Sequence, residues 1–592
     1  MASQTDQDPN NLDVHTLKSI LRKHTLPTTG NKMMLIRRVI EHRISINNQT
    51  VDDTLTEADI EDIMNNIHPS LRNFVKQMLN SIEDTINIIF DERGNFGSSK
   101  DLYQLLKVLR TNTFIKHLTI DNFIIDKKCA TSIRHLLQKN RLISLTCRRC
   151  DDIDGQSYIY HIFEELVHNN TLLSLTLDTC NISTRTINEL CNNLYHNRTL
   201  KTLNIIGDII GDPLHNIFVL LTHNHTINTL NVYNNDLGYI FNTKDIMQCI
   251  AYATSLTDLN IGFNCFNDNG IFELALALQK NKSIVSLNIS ENIYTDQTFS
   301  ELLIALSNRH MRLLDVSSYS GLSIKNIDDL SRTFANSSSL HTLILRRHDN
   351  DNDHPEKMNR LFNNLLAINT SIHTLNISGN LMQADSMKNL YHALIQNKNI
   401  VNLDVTCNTE MTGNEGDQYI VELLKAQFLK QLYIRNMTNN RLLEDIGSIL
   451  KMTNSESNPL EILNIYGNNA PAGVTRSFFE CLFTNDTLLQ LNIDNCNLLD
   501  SGELLCDILK KNESLRVLTM INSNFNNDVL QLVFEGLAHN TTLLGLHLST
   551  DNDIDKNLMQ QVTNLINRNN SIHAHHIHMS KSLWTTLIDE LL

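Results

Sequence analysis

Residues 255–278 read SLTDLNIGFNCFNDNGIFELALAL. In Ser255–Ile261 the apolar residues Leu259 and Ile261 are separated by one polar residue, the period of a short strand with one buried face. About ten residues on, Ile271, Leu274, Ala275 and Leu278 fall at helical spacing. Five positions after Leu259 stands Asn264. The stretch therefore predicts strand, loop and helix. One such unit cannot bury its own apolar face, so it has to be stacked on others.

The same phrase recurs along the chain. Thr171–Leu177 (TLLSLTL), Thr199–Ile205 (TLKTLNI), Thr226–Val232 (TINTLNV), Ser283–Ile289 (SIVSLNI), Ser371–Ile377 (SIHTLNI), Thr487–Ile493 (TLLQLNI) and Ser514–Met520 (SLRVLTM) each place an anchor leucine two residues before another apolar position. Anchors fall at 118, 145, 175, 203, 230, 259, 287, 314, 343, 375, 403, 432, 463, 491, 518 and 546, with a degenerate one at His575. The steps are 27 to 32 residues. Five after the anchor stand Asn235, Asn264, Asn292, Asn380, Asn408 and Asn468, or Cys150, Cys180 and Cys496. An inward amide or thiol there supplies hydrogen bonds to backbone groups that have left the strand ladder. Six before the anchor stands a second column: Asn112, Asn169, Asn197, Asn224, Asn281, Asn308, Asn369, Asn397, Asn485, Asn512, Asn540 and Asn569. These are expected to end each helix in the left-handed conformation that asparagine tolerates. Asparagine is unusually common, 77 of 592 residues, and 18 of them stand in these two columns.

The pattern L-x-x-L-x-L-x-x-N/C-x-L resembles leucine-rich repeats. Its 28-residue period with a helix per unit is similar to the ribonuclease-inhibitor-like subclass. The resemblance implies an α/β solenoid, a horseshoe of about 17 strand–helix repeats, over residues 113–580. Residues 66–112 are expected to form capping helices and a strand: Ile67, Leu71, Phe74, Val75, Met78 and Ile82 for the helix, Thr85–Phe90 for the strand. Leu583, Trp584, Leu587, Ile588 and Leu591 predict a C-terminal cap helix over 581–592. Residues 47–65 are acidic and read as a solvated linker, with a short helix from Thr56.

Net charge is -16, which argues against nucleic-acid binding along the whole chain. Residues 1–46, however, carry seven Lys or Arg against four carboxylates. Leu17-Lys18, Leu26-Pro27, Thr29-Gly30-Asn31-Lys32 and Leu35-Ile36-Arg37-Arg38 follow one another in residues 10–46. In that order they resemble a SAP module, a helix–extended–helix unit. The resemblance implies DNA binding and recruitment to chromatin. Lys32 would meet phosphate at the start of the second helix, with Lys18, Arg22, Arg37 and Arg38 adding a salt-sensitive contribution. Asn31 stands where that family often has a second lysine.

In each strand, the residues one and three after the anchor are expected on the concave face. The first column is mostly Thr, Asn and Asp: polar and nearly uncharged, and better matched to a protein partner than to a nucleic-acid backbone. Asn204, Asn231, Asn260 and Asn288 lie in it, with Tyr233, Phe263, Tyr433 and Tyr466 as aromatic anchors. Arg148-Arg149, Arg346-Arg347 and Arg435 are positive points that could pair an acidic partner.

No reaction chemistry stands out. Cys147-Arg-Arg-Cys150 is a lone C-x-x-C explained by packing. His573, His575, His576 and His578 with His547 are the best metal candidates, although a His-rich terminal repeat is more often a polar, solvated cap, and no cofactor, metal or small-molecule substrate is expected. Phosphate-loop and nucleophile-elbow motifs are absent. The eleven cysteines are scattered singly, no eighteen-residue apolar run occurs, and Met1–Asn11 is polar. An intracellular, non-enzymatic scaffold follows as the expectation, the nucleus before the cytoplasm, with a protein partner on the solenoid, DNA on the head and no membrane contact. The alternatives are a GTPase regulator of the Ran GTPase-activating type, whose acidic tail has no counterpart at Asp589-Glu590, and an inhibitor or effector clamping a host enzyme.

Overall fold

A computed structural model describes residues 55–574 apart from 81–83, 91–96, 152–157, 208–211, 240–242, 319–321, 348–355, 381, 409–413, 436–439, 453–458, 468–471, 496, 499, 524 and 549–553. The basic head (10–46), His575 and the C-terminal cap segment lie outside the described residues.

The sixteen leucine anchors all lie in strands, and an additional strand precedes them. The strands are β1 (Thr85–Ile89), β2 (His117–Asp121), β3 (Ser144–Arg148), β4 (Ser174–Asp178), β5 (Thr202–Ile206), β6 (Thr229–Asn231), β7 (Asp258–Asn260), β8 (Ser286–Asn288) and β9 (Leu313–Asp315). They continue with β10 (Thr342–Ile344), β11 (Thr374–Asn376), β12 (Asn402–Asp404), β13 (Gln431–Tyr433), β14 (Ile462–Asn464), β15 (Gln490–Asn492), β16 (Val517–Met520) and β17 (Gly545–Leu548). Each pairs in parallel with the next, and anchor always meets anchor: Ile86 with Leu118, Leu118 with Leu145, Leu259 with Leu287, Leu518 with Leu546. A one-residue slip would turn every anchor out of the core, so the leucine column enforces register.

Between strands the chain returns through helices that pack side by side behind the sheet. Neighbouring strands are about 4.8 Å apart and packed helices about 10 Å. The stack therefore bends with the sheet on its inner side. Anchors and helix faces merge into one continuous apolar core. This is an α/β leucine-rich-repeat solenoid.

At the front, α1 (Glu57–Asn66) starts in a reciprocal cap: the Thr56 hydroxyl accepts from the Asp59 amide, and the Asp59 carboxylate accepts from the Thr56 amide. The acidic stretch is thus helical from Thr56 on, and it buries Ile63. A short turn, Pro69–Leu71, leads into α2 (Arg72–Asn80). Ile67, Leu71, Val75 and Met78 are buried where they close the front of the core. Next come α3 (Ser99–Thr111) and α4 (Lys127–Gln138).

The asparagine column before each anchor works differently from the expectation. Asn281 (φ -65°, ψ 128°) and Asn512 (φ -76°, ψ 123°) are extended, not left-handed. Their side chains end the helix instead. Asn197 Oδ1 accepts from the amides of Thr199 (3.0 Å) and Leu200 (2.9 Å), while its Nδ2 donates to Leu166 O (2.6 Å) and Asn169 O (3.2 Å) of the preceding coil. Asn224, Asn281, Asn512 and Asn540 repeat the pattern. Carbonyls orphaned at one helix end are thus satisfied by the next coil. Asn308 is exposed, and Arg309 takes over its task by donating to Leu278 O and Ile284 O. Asn569 lies inside the last helix, Lys556–Ala574, rather than at its end, and still reaches Leu543 O at 2.8 Å.

Left-handed backbone occupies another column, four after the anchor: Asn122, Arg149, Thr179, Gly207, Asn234, Phe263, Glu291, Gly379, Cys407, Gly467, Asn495 and Asn522 all have positive φ. There the chain leaves the strand and aims the following Asn or Cys inward. Asn235, Asn264 and Asn408 are buried, each donating to a carbonyl of the coil before: Ile205 O (2.8 Å), Val232 O (2.8 Å) and Ile377 O (3.2 Å). Cys150 and Cys180 do this more weakly, with Sγ 3.4 Å from Ile120 O and 3.2 Å from Cys147 O. This ladder is the one expected from the repeat pattern. Asn468 and Cys496 lie outside the described residues.

Candidate protein interface

Strand burial alternates as expected. In β4 and β5 the anchor and the residue two later are buried, while those one and three later are part-exposed. Asn204, Asn231, Tyr233, Asn260, Asn288, Arg346, Tyr433, Arg435 and Tyr466 are all part-exposed residues of these inner columns. Phe263 sits just past β7, on left-handed backbone at φ 53°. Asp315, Asn464, Asn492 and Thr519 occupy the same column but are buried by their neighbours.

The asparagines are half committed to the fold. From β6 to β15 the strands shorten from five residues to three. Asn231, Asn260, Asn288, Asn376 and Asn464 each accept, through Oδ1, the amide two residues on, at 3.0, 3.0, 2.8, 3.0 and 3.1 Å. A short polar side chain here competes with the ladder and ends the strand. Asn204, in a five-residue strand, donates to Thr176 Oγ1 instead (2.9 Å). The amino groups of Asn231, Asn260 and Asn288 remain as the atoms available to a ligand.

Two aromatic groups interrupt this polar face. Tyr233 and Phe263 have ring centroids 5.8 Å apart. Gly262 makes room for them, since a Cβ there would lie 3.1 Å from Tyr233 Cδ2 and 2.7 Å from Ser290 Oγ. Farther along, the Arg435 guanidinium lies 6.0 Å from the centre of the Tyr466 ring, beside Tyr433 of the same strand end. Arg435 Nε is buried without a hydrogen-bond partner, and among the described residues Arg435 has no ion pair.

The other arginines expected to offer positive charge are tied within the chain. Arg149 makes a double hydrogen bond to Asp121 (2.9 and 2.8 Å), Arg148 bonds Asp178 (3.1 Å), and Arg346 lies 3.5 Å from Asp315. Arg347 is buried. Each resolved pair spans neighbouring coils, so the carboxylate is invisible to a local reading of the sequence. Lining up the repeats brings it into view, because Asp121, Arg148 and Asp178 occupy the same column.

Asp315 shows what burial does to this column. Desolvation raises its carboxyl above the usual range, against bonds from Ser317 and the nearby Arg346. A carboxyl raised on folding stabilises the fold only at low pH, and that contribution is lost as pH rises through the folded value. Asp315→Asn keeps the Oδ1 acceptor that Ser317 of the same coil uses and gives up the longer contact with Arg346. It is expected to raise stability at pH 7 by about 0.5–1 kcal/mol, the gain fading towards pH ~3, below the unfolded pKa, where the carboxyl is neutral in both states. Thermal melts of the two proteins at both pH values check this; a variant less stable at pH 7 contradicts it.

Cys147 and Cys150 are fully buried, and burial pushes the Cys191 and Cys481 thiols up to about 12, so these two are not thiolates near neutral pH. Among the described residues no three metal-ligating side chains converge and no helix is long and apolar enough to cross a membrane. His575, His576 and His578, like Lys18, Arg22, Lys32, Arg37 and Arg38, lie outside the described residues.

No protein-family model and no curated protein matches the chain. Among solved structures it is similar to the Rad7 and Elc1 complex in yeast, at 18% identity and a TM-score of 0.42 over 63% of this chain and 85% of that one. A TLR13–ssRNA13 complex is similar at 15% identity and a TM-score of 0.38, over 74% of this chain and 55% of that one. LegL7, a leucine-rich repeat-containing protein from Legionella pneumophila, is similar at 17% identity and a TM-score of 0.32, over 59% and 93%. Likeness at this level carries no information about binding.

Proposed function

We propose that this chain is a non-enzymatic interaction scaffold. Its inner strand face binds a protein partner, and its N-terminal module, residues 10–46, tethers it to DNA. On this reading the protein works at chromatin in the nucleus, and its repeats are of the ribonuclease-inhibitor-like kind. Residues 66–112 cap the front of the solenoid at 113–580, and 581–592 cap its rear.

One observation carries the protein-binding half: Tyr433, Arg435 and Tyr466 group part-exposed on the inner face, and among the described residues no carboxylate pairs with Arg435. Two part-exposed tyrosines flanking an unpaired guanidinium have the composition of an interface hot spot, and suit a partner that presents a carboxylate. The Asn231, Asn260 and Asn288 amides add neutral hydrogen-bonding contacts alongside. The test identifies the partner by affinity capture and mass spectrometry, then titrates the purified pair. Arg435→Glu with Tyr466→Ala is expected to weaken binding at least tenfold, a loss of more than about 1.4 kcal/mol. Unchanged affinity in that variant refutes the assignment of this face.

The DNA half rests on the Leu26-Pro27, Thr29-Gly30 and Lys32 to Arg38 sequence. For the full chain, Lys32→Glu with Arg37→Glu and Arg38→Glu is expected to weaken binding to duplex DNA at least tenfold in low salt. Equal binding by wild type and variant rejects it.

A further inference from the structure

Positive charge is not confined to the head. Residues 99–149 hold eleven Lys or Arg against three carboxylates, in a chain whose net charge is -16. The three carboxylates are spent locally. Asp101 is buried and accepts from the Ser98 hydroxyl and the His68 amide; Asp126 caps α4; Asp121 holds Arg149.

The helices α2, α3 and α4 pack in sequence, and each turns a basic stripe outward. Arg72 is exposed on α2; Lys100, Lys107 and Arg110 lie on the solvent side of α3; Lys127 and Lys128 are exposed on α4. No ion pair involves Arg72, Lys100, Lys107, Lys127 or Lys128 among the described residues, although Lys107 lies 5.1 Å over the Tyr103 ring. One coil separates Lys100 from Lys127, about 10 Å across packed helices, and seven residues separate Lys100 from Lys107, about 10 Å along the axis. Such spacings match the Debye length of about 8–10 Å at physiological ionic strength, so the potentials add. The patch has acidic borders. Arg134 is tied to Glu164 of the next coil, and on the other side Asp59 of α1 is held below the usual carboxylate range, by Thr56 first and to a lesser degree by Lys107.

We infer that the outer face of α2–α4 is a second phosphate-binding surface, which holds duplex DNA together with the head. Lysines, acting as point charges without a bidentate fork, suit sequence-independent phosphate contact. An anionic membrane would call for apolar side chains among the cations, and the outer faces of α3 and α4 expose no large apolar residue. Two weak cationic surfaces on one chain also gain by avidity. The choice of DNA as partner rests on the reading of residues 10–46; the cationic face does not.

The test titrates the full chain with a duplex of arbitrary sequence over a salt series, by fluorescence anisotropy. Lys100→Gln with Lys107→Gln, Lys127→Gln and Lys128→Gln removes only solvent-facing charge, and an unchanged melt shows that the fold is kept. This variant is expected to bind at least tenfold more weakly in ~0.1 M salt, with the slope of log affinity against log salt reduced by about 2–3. An unchanged slope and affinity overturn the inference. A head variant (Lys32→Glu, Arg37→Glu, Arg38→Glu) is measured in parallel. If only the outer-face variant is weakened, the inference stands and the head reading falls; if only the head variant is weakened, the inference falls. Binding of phosphatidylserine-containing vesicles, lost in the outer-face variant and without any binding of duplex DNA, also overturns it.

Discussion

Replacing Asn264 by alanine is expected to cost about 3–5 kcal/mol of stability, since each buried group left unpaired costs about 1–3 kcal/mol. Asn264 is fully buried. Its Nδ2 donates to Val232 O (2.8 Å) and Gly262 O (2.9 Å), and its Oδ1 accepts from the amides of Asn235 (2.9 Å) and Leu237 (3.4 Å). Alanine deletes all four contacts and leaves Val232 O and the amides of Asn235 and Leu237 unpaired where water cannot reach, while Gly262 O keeps the Asn234 amide. Asn264→Cys is expected to lose about half as much, because a thiol fills this position at Cys150 and Cys180 and still donates, though weakly. Since long repeat arrays do not unfold as a single unit, the readout is hydrogen exchange at Asn235 and Leu237 beside the thermal midpoint. An alanine variant that protects both amides as well as wild type would falsify the claim that this ladder holds the coils together.

Gly379→Ala should cost about 4 kcal/mol, with its origin in the backbone. Gly379 has φ +72°, and a Cβ there would lie 2.0 Å from Arg347 O, a carbonyl that a side-chain rotation cannot move. Gly207 is the control. It has the same place in its coil and φ +68°, yet its Cβ would meet nothing nearer than Thr179 Oγ1 at 3.1 Å. Asparagine stands at that place in Asn122, Asn234, Asn495 and Asn522, so Gly207→Asn is expected to change stability by less than about 1 kcal/mol. Comparable losses in the two variants would show that the left-handed conformation alone, and not the close approach of coils, sets the cost.

How much was legible follows from the range of each signal. The period-two alternation around Leu118 through Leu546 is local, and every one of these anchors pairs in the register it implies. The inward Asn and Cys ladder was legible for a related reason: its position is fixed relative to the anchor. The second asparagine column was legible as a column but not as a mechanism. Helix ends invite a left-handed residue, and only the structure shows Asn281 extended, its side chain bridging two coils. Similarly, Arg148 and Arg149 look like free charge in a linear reading, because their carboxylates lie 30 and 28 residues away.

The unit and its sixteen leucine anchors are legible in the primary structure alone. A leucine every 27 to 32 residues, flanked by alternation and followed by helical spacing, has no other economical way to bury its apolar face than to stack. Tertiary structure alone decided which polar atoms remain for a partner. Stacking brings residues one coil apart to within hydrogen-bond reach, and there the Asn204 amino group and the Arg149 guanidinium are consumed by the fold. The Arg435 guanidinium and the Lys100 and Lys127 ammonium groups are not, because among the described residues no carboxylate pairs with them.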